Sequence, residues 1–519
     1  MATPNAPSEP IEFAFRTHDV FRRLVAGKIE VAAFGRHSAR LLLRSSVSST
    51  TLLLGAGVLT GAIALGSTSS RAEEGRVEDV VVSASGNTQA VAEKQAQALQ
   101  SEPVAATIVT VKQIENQQIT QLEQIRRLVP SLSLKQLNIQ NLTYNIRGIG
   151  NADGTQIGSV FSGAPIYVDG VYFARPGTTL ADIPDLVGVQ VLKGPQSTGG
   201  GWDSTSGAIH LTTALPSFAL HQEFSVSYGS YNLVQLRATA TGPVGDSDKA
   251  AFRITVFGAD RDGYITSTNS DFRYNDWKNK GIRGQLLWQP DNDLSLRFSF
   301  DYQHVNYNCC IAMTHGAITH FTNGQPVPNN FFDRAARVGY VPLPFNGLDR
   351  YSTDVGRYRT PTEASESAGV SAHLQYNWND FTLSSITAYR YYSYHCNWRQ
   401  NTAIDVDLVR RSCWNPEVNS IQQQLTLETP KGQPIEGKAG LFFLWEDFHS
   451  WNYLWYGGQA GDWFAGSTNP TELQFMRAAL DWSGNDSYYA VSTKSVAPYG
   501  QAVWHATPEL DLTFGIRYS

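Results

Sequence analysis

The sequence is short of charge, of cysteine and of long apolar runs, and each shortage excludes something. Asp, Glu, Lys and Arg make up 17% of its 519 residues, against about 25% in ordinary soluble proteins. Forty basic residues face 46 acidic ones, a formal charge of −6, so no basic excess is available to hold DNA or RNA. Hydrophobic residues reach 42%, which excludes a wholly disordered chain. The four cysteines, Cys309, Cys310, Cys396 and Cys413, are too few for a disulfide scaffold and form no CxxC. They leave three readings: a bridge pinning loops in an oxidising compartment, with Cys396 and Cys413 as the candidate pair; a metal cluster with His315 and His320; or free thiols. The spacing CC-x4-H-x4-H matches no standard zinc pattern, so no metal site is assigned. Phosphate loops and catalytic signatures are missing too: Gly199–Gly201 lacks a following GK[ST], Arg147–Gly154 is not GxGxxG, and neither HExxH nor GxSxG occurs. The reading is therefore a non-enzyme with no cofactor.

The one long apolar run lies near the start. Thr51–Leu65 is uncharged, Arg36, Arg40 and Arg44 precede it, and Ser70-Arg71-Ala72 follows with small residues where a signal peptidase reads. As a helix the run is about 22 Å long, short of the ~30 Å hydrocarbon core. Residues 1–72 are accordingly expected to be an N-terminal extension and cleaved export signal, with the mature chain starting near Glu73. No later window reaches eighteen apolar residues, so a membrane location after export requires a closed β-barrel, the other fold that satisfies every backbone group without water.

The remainder divides in two. Up to about residue 220 the pattern is mixed. Glu115–Val129 places Ile119, Leu122, Ile125, Leu128 and Val129 at helical spacing before Pro130, predicting a helix. Ala106–Val111, Ile166–Val171 and Val187–Leu192 read as short strands, with Asp169-Gly170 as a turn. A small α/β domain is expected there. From Glu223 onward the texture is long alternation. Leu294, Leu296, Phe298, Phe300 and Tyr302 share one face, while Ser295, Arg297, Ser299 and Asp301 share the other. Phe224–Tyr228, Phe252–Val256, Ala372–Trp378, Ile421–Leu427 and Leu510–Tyr518 repeat the period.

Connections alternate in length as well. Tight ones are expected at 243–248, 290–293, 379–380, 430–434 and 507–508, and long loops at 308–366, 397–419 and 457–493. Eleven strands of about 9 to 12 residues result, with aromatics such as Tyr389, Tyr391, Trp451 and Trp455 near their ends as an interfacial girdle. A soluble β-sandwich also alternates, but its strands average about 5 or 6 residues. The fold class expected is mainly β, an N-terminal α/β domain inside a transmembrane antiparallel barrel.

Several motifs, in this order, resemble the TonB-dependent outer-membrane receptor family. Val77-Glu78-Asp79-Val80-Val81-Val82-Ser83-Ala84 looks like a TonB box. Leu142–Gly150, containing Arg147-Gly148, is similar to the I-R-G segment. Ala164–Tyr172, containing Asp169-Gly170, is similar to the I-Y-V-D-G-V strand and turn. Val189–Gln196, containing Gly194-Pro195-Gln196, followed by Gly207-Ala208-Ile209, is similar to the end of the family's plug. Departures are Gly200 for a bulky residue, Trp202 for a basic one, Asp203 for Asn, and His210 for Asn. The resemblance implies a box segment at 73–85, a plug at 86–220 and barrel strands at 221–519. The family barrel has twenty-two strands, so about half are expected here, a truncated barrel, with Ser519 at the outer rim by an up-and-down count.

The function implied is energised uptake across the outer membrane of a Gram-negative cell. Glu78–Ala84 would be the extended strand to which TonB, with its inner-membrane energising complex, adds its own strand. Outer-membrane lipid would surround the wall. The extracellular ligand implied is an iron chelate such as a ferric siderophore, with cobalamin or an oligosaccharide as family alternatives and a passive porin or surface-binding barrel as the alternative of another class. Phe161, Tyr172 and Arg175 are candidate ligand contacts, offering rings and a cation.

Overall fold

The computed structural model describes residues 105–117, 119, 121–136, 142–150, 161–175, 183–308, 316–344, 351–355, 362–397 and 404–519. The export signal, the box segment Glu78–Ala84, residues 151–160 and 176–177, Cys309, Cys310 and His315 lie outside these residues.

The first domain is built from eight short strands: β1 Ala105–Thr110, β2 Leu132–Gln136, β3 Leu142–Ile146, β4 Ile149–Gly150, β5 Ile166–Val168, β6 Val171–Phe173, β7 Leu186–Lys193 and β8 Gly207–Thr213. Five of them form a sheet in the order β1-β7-β8-β5-β6, and β2-β3-β4 form a second. Asp169 and Gly170 both have positive φ, 50° and 80°, the backbone of a type I′ hairpin between β5 and β6. The expected helix over 115–129 is instead two short pieces, α1 Val111–Asn116 and a 3₁₀ turn Leu122–Arg127. The break follows from the residues between them: Ile119 N–H reaches back five residues to Ile114 O at 2.9 Å, closing the first piece, and Gln121 is extended at φ −122°, ψ 144°. β-Branched Ile119 and Thr120 add little helical preference. Burial nevertheless follows the expected pattern: Ile119, Leu122, Ile125 and Val129 join Ile166, Val191 and Ile209 in the domain core.

From residue 221 the chain forms one sheet of eleven antiparallel strands. They are β9 His221–Gly229, β10 Leu233–Pro243, β11 Ala250–Arg261, β14 Trp277–Trp288, β15 Leu294–Tyr307, β17 Thr362–Trp378, β18 Phe381–Asn397, β19 Val409–Glu428, β20 Ile435–Tyr456, β21 Gly484–Thr507 and β22 Leu510–Arg517. Among the loops, β12 Ile265–Ser267, β13 Arg273–Tyr274 and β16 Ser352–Thr353 make a small separate sheet. All five expected tight connections are turns, and Asn379-Asp380 joins β17 to β18 with both φ positive.

The polarity of this wall is the reverse of a soluble protein's. Phe298 and Phe300 on β15 are 48% and 45% exposed, whereas Ser299 and Asp301 between them are 7% and 8%. Water would not select that arrangement; hydrocarbon outside and a polar interior do. The alternating face read from the sequence is thus a lipid face.

Two expectations change. Strands β17 to β21 run 17 to 24 residues, not 9 to 12, and they absorb part of each expected long loop. Their added ends, such as Val409–Glu417 and Gly484–Thr493, mix polar and aromatic residues without a sustained apolar alternation, so no hydrophobic period marks them. β22 pairs only with Tyr499–Thr507 of β21, so it covers the turn-proximal part of its neighbour and does not reach the outer rim. Between these strands the loops carry α2 Phe331–Arg337, α3 Ala460–Phe464 and α4 Pro470–Leu480. α2 and α3 share a small core of Ala335 and Trp463 with Ile404, Val406 and Leu408. Cys396 and Cys413, on β18 and β19, are joined as a disulfide with Cα atoms 5.8 Å apart.

Candidate functional site

The strand register sets inward-facing residues of successive strands side by side, and one such row is charged. Thr255, Arg283, Asp301, Gly369, Arg390, Ser420 and Glu446 are consecutive partners across β11, β14, β15, β17, β18, β19 and β20. Arg390 donates from Nη1 to both Asp301 oxygens at 2.6 and 2.9 Å, and from Nη2 to Ser367 Oγ at 3.0 Å. It crosses β17 to do so, and Gly369 makes the crossing possible by presenting no side chain beneath the guanidinium.

The first domain meets this row through the hairpin 166–175. Asp169, at the turn, accepts from Arg283 Nη2 at 2.6 Å, from Thr213 N at 2.8 Å and from the Thr213 hydroxyl at 2.7 Å. Arg297 stands 3.8 Å away. Burial pushes the Asp169 carboxyl up, but Arg297, Arg283 and the Thr213 bonds outweigh it and hold the group below the usual carboxylate range. Three residues later the side-chain amide of Gln422 brackets Tyr172: Tyr172 N–H donates to Oε1 and Nε2 donates to Tyr172 O, each at 2.8 Å. A wall side chain so satisfies two main-chain groups of β6 that a neighbouring strand would otherwise take. Phe173 lies under Arg390, 4.5 Å from guanidinium carbon to ring centre. Arg175 Nε donates to Glu446 at 3.0 Å, with both side chains almost wholly buried.

Other contacts surround the hairpin. Asp185 accepts from Arg253 at 2.7 Å and from Thr255. Burial raises its pKa, Arg253 lowers it, and the balance falls below the usual carboxylate value. Thr198 Oγ1 donates to Gln501 at 2.6 Å, Gln285 Nε2 to Ala214 O at 2.8 Å, and Arg517 to Ser197 O at 3.2 Å. At Gly200, where a Cβ would stand 2.4 Å from Gln424 Nε2, the plain backbone lets Gln424 and Tyr499 of the wall approach.

The candidate ligand contacts fall together in one cluster. Phe161 stacks on Trp202 with ring centres 4.7 Å apart, Tyr172 stacks on the same indole at 5.8 Å, and Arg175 lies 4.4 Å over Phe161. Tyr172 is 1% exposed and Arg175 3%, and Glu446 pairs with the guanidinium of Arg175. Its place here is as a tie between domain and wall. Phe161 is the half-buried member of the three. The motif residues serve turns: Arg147 and Gly148 turn β3 into β4 with positive φ, and Gly194 N–H donates to Ser206 O beside Pro195 and Gln196, just before Gly207 opens β8. His210 is half-buried and stacked on Tyr167, ring centres 4.7 Å apart and nearly parallel. Burial lowers its pKa to about 4.

Sequence reasoning missed the wall partners Arg283, Arg390, Gln422 and Glu446. The signal available was charge or amide on the polar face of an alternating strand. It marks a lumen-facing position but not its partner.

Residues 98–208 match the TonB-dependent Receptor Plug Domain family. The pesticin receptor of Yersinia pestis is 26% identical over 144 residues, 28% of this chain and 21% of that receptor. The pesticin receptor of Yersinia enterocolitica is 25% identical over the same length. Among solved structures, the ferric yersiniabactin uptake receptor FyuA of Yersinia pestis superposes with a TM-score of 0.60 at 16% identity, over 80% of this chain and 56% of that one. The ferripyoverdine receptor of Pseudomonas aeruginosa gives 0.55 at 17% identity, over 80% and 51%. The ferric-catecholate import receptor Fiu of E. coli gives 0.52 at 14%, over 80% and 59%. The chain thus spans about half the length of these solved receptors and about a fifth of the pesticin receptors. The plug match over residues 98–208, taken with a domain seated against a wall of inverted polarity, gives the chain a plug domain of the TonB-dependent receptor type followed by the fold of a partial outer-membrane β-barrel.

Proposed function

We propose that the chain serves energised uptake, through the outer membrane, of a scarce ligand of ferric-siderophore type. The observation that carries this reading is the plug hairpin 166–175, tied to the wall at Asp169, Tyr172, Phe173 and Arg175. A passive pore has no use for a domain held by buried ion pairs across its own lumen, whereas a pumped receptor needs a stopper that is tight until it is pulled. The similar solved receptors handle ferric yersiniabactin, ferripyoverdine and ferric catecholates, which supports iron chelates over cobalamin or sugars. Glu78–Ala84 is the proposed segment for TonB, whose strand would bind by main-chain pairing.

The test is deletion of residues 77–84 in a receptor with a complete barrel carrying this plug. Uptake of radiolabelled ferric chelates should cease, chelate binding to the cell surface should persist, and collapse of the proton gradient should give the same loss in the undeleted receptor. Transport that continues after the deletion refutes the role of the segment. Binding of cobalamin or oligosaccharide in place of ferric chelates replaces the ligand class.

A further inference from the structure

β18 and β19 are neighbours in the wall, yet the ladder between them is shorter than either strand. Among the described residues it ends at the pair Ser393 with Glu417. Beyond that pair β18 runs on to Asn397 against β17, and β19 reaches back to Val409 against β20. The next pair in register would be Tyr394 with Pro416. Cys396 N–H points across to β19, where it donates to Asn415 Oδ1 at 2.9 Å. By the period of two, the backbone groups of Tyr394 point the same way. Pro416 therefore lacks the N–H that Tyr394 O would take, the defect that keeps proline out of most inner strands.

The strands have not parted. The Cα atoms of Cys396 and Cys413 are 5.8 Å apart, close to the spacing of laddered neighbours. The disulfide and the Asn415 bond close the seam at this height. Past the strand ends the loop cap joins the two sides again. α2 follows β15 and α3 follows β20, and Arg337 of α2 donates to Asp462 O at 2.9 Å and to Ala465 O at 2.6 Å. The unladdered stretch is thus a slot with closed ends, Tyr394 to Asn397 on one side, roughly 13 Å tall. Behind it Tyr392, Tyr394, Val418 and Phe448 pack together, buried on the lumen face. Phe448 in turn lies 5.1 Å from the guanidinium of the plug's Arg175. A passage through the slot ends on the plug.

We propose that this slot is a side window through the wall into the lumen, latched shut by the Cys396–Cys413 bond and unlatched by thiol–disulfide exchange. A dithiol in the surrounding water gives up two electrons and two protons. Cys396 and Cys413 become thiols, and the dithiol closes to its own disulfide. Hydrogen bonds such as Cys396 N–H to Asn415 then span the slot, and these open and close locally where a covalent bond does not. The open window gives a small chelate a way to the plug that leaves the cap in place. In its cargo the inference rests on the uptake reading, and in its placement on a membrane-spanning wall with the long loops outside the cell.

Hydrogen exchange and hydroxyl-radical labelling of the chain in detergent micelles test this. With the disulfide formed, Tyr392 and Tyr394 should stay unlabelled. A dithiol reductant should raise their labelling severalfold and speed amide exchange about tenfold at residues 394–397 and 413–415, with Thr382–Ser393 unchanged. Cys396→Ser with Cys413→Ser should give the open pattern without reductant. Pro416→Ala, which restores the N–H facing Tyr394, should stay protected after reduction. Unchanged protection in the reduced chain means that packing alone shuts the wall, and labelling before reduction means that there is no latch. Loosening that spreads through Thr382–Ser393 means that the bond merely stabilises the sheet. A reduced Pro416→Ala chain that opens like its parent means that the proline does not set the slot. Each of these overturns the window. Uptake after deletion of residues 77–84 reads the proposed function separately and is untouched by any of them.

Discussion

Gly369 lies directly beneath Arg390: a Cβ at that position would stand 2.2 Å from Nη1 and 2.8 Å from Cδ. The missing side chain is what lets a guanidinium on one strand pass over the next to reach Asp301 on the strand beyond. Gly369→Ala should push Arg390 off Asp301 and away from Phe173, destabilising the folded state by about 1–3 kcal/mol, as overpacking commonly does. Thermal unfolding in detergent checks this, and an unchanged midpoint would show that the guanidinium has another way across.

Asp169→Asn keeps the size of the turn residue and removes the charge that Arg283 and Arg297 face. Loss of one partner from a buried pair costs about 3–5 kcal/mol, so the plug should become open to protease in the intact barrel. Combining it with Arg283→Gln should recover part of the loss if the two act as a pair. The same group sets an acid limit. Its pKa is lowered in the fold, so its contribution is complete above the unfolded carboxylate value of about 4 and disappears as pH falls through the lower folded value. Plug protection should hold from pH 5 to 8 and fail in stronger acid.

Gln422→Leu fills similar volume but offers nothing to the main chain of Tyr172. The stranded N–H and C=O, buried against the wall, should cost about 1–3 kcal/mol each at most. Hydrogen exchange at the Tyr172 amide reads this directly; protection equal to the parent's would mean the hairpin needs no help from the wall.

His210→Asn concerns pH near neutrality. The half-buried imidazole has its pKa lowered to about 4, so the unfolded chain binds a proton more readily and stability falls as pH drops from about 6.5 towards 4, by roughly 3 kcal/mol at most. The Asn variant should lose that slope. Unfolding midpoints at pH 7 and pH 5 that shift equally in both proteins would assign the slope elsewhere.

How far the sequence could be read depended on whether a local rule left a mark. Asp169-Gly170 was legible because a two-residue I′ turn requires positive φ at both positions. The lipid face was legible in Leu294–Tyr302 because hydrocarbon imposes a strict period of two. Where polar and aromatic residues mix without a sustained apolar alternation, as in Val409–Glu417, the period vanishes, so those segments read as loop. The pairing of Arg175 with Glu446 was not legible because the two lie 271 residues apart, and register between distant strands leaves no trace in either segment. The helix expected at 115–129 had the right buried residues and the wrong backbone, since burial at helical spacing is also met by a turn, a bend and a 3₁₀ turn.

The alternating row Arg283, Asp301, Arg390, Glu446 also works as a key. Its signs change from one charged strand to the next, and the plug brings an anion to one end, Asp169, and a cation to the other, Arg175. Turn the plug so that Asp169 meets Asp301, and like charges confront each other in a place where water is scarce. One seating of the plug against the wall is therefore selected over rotated ones.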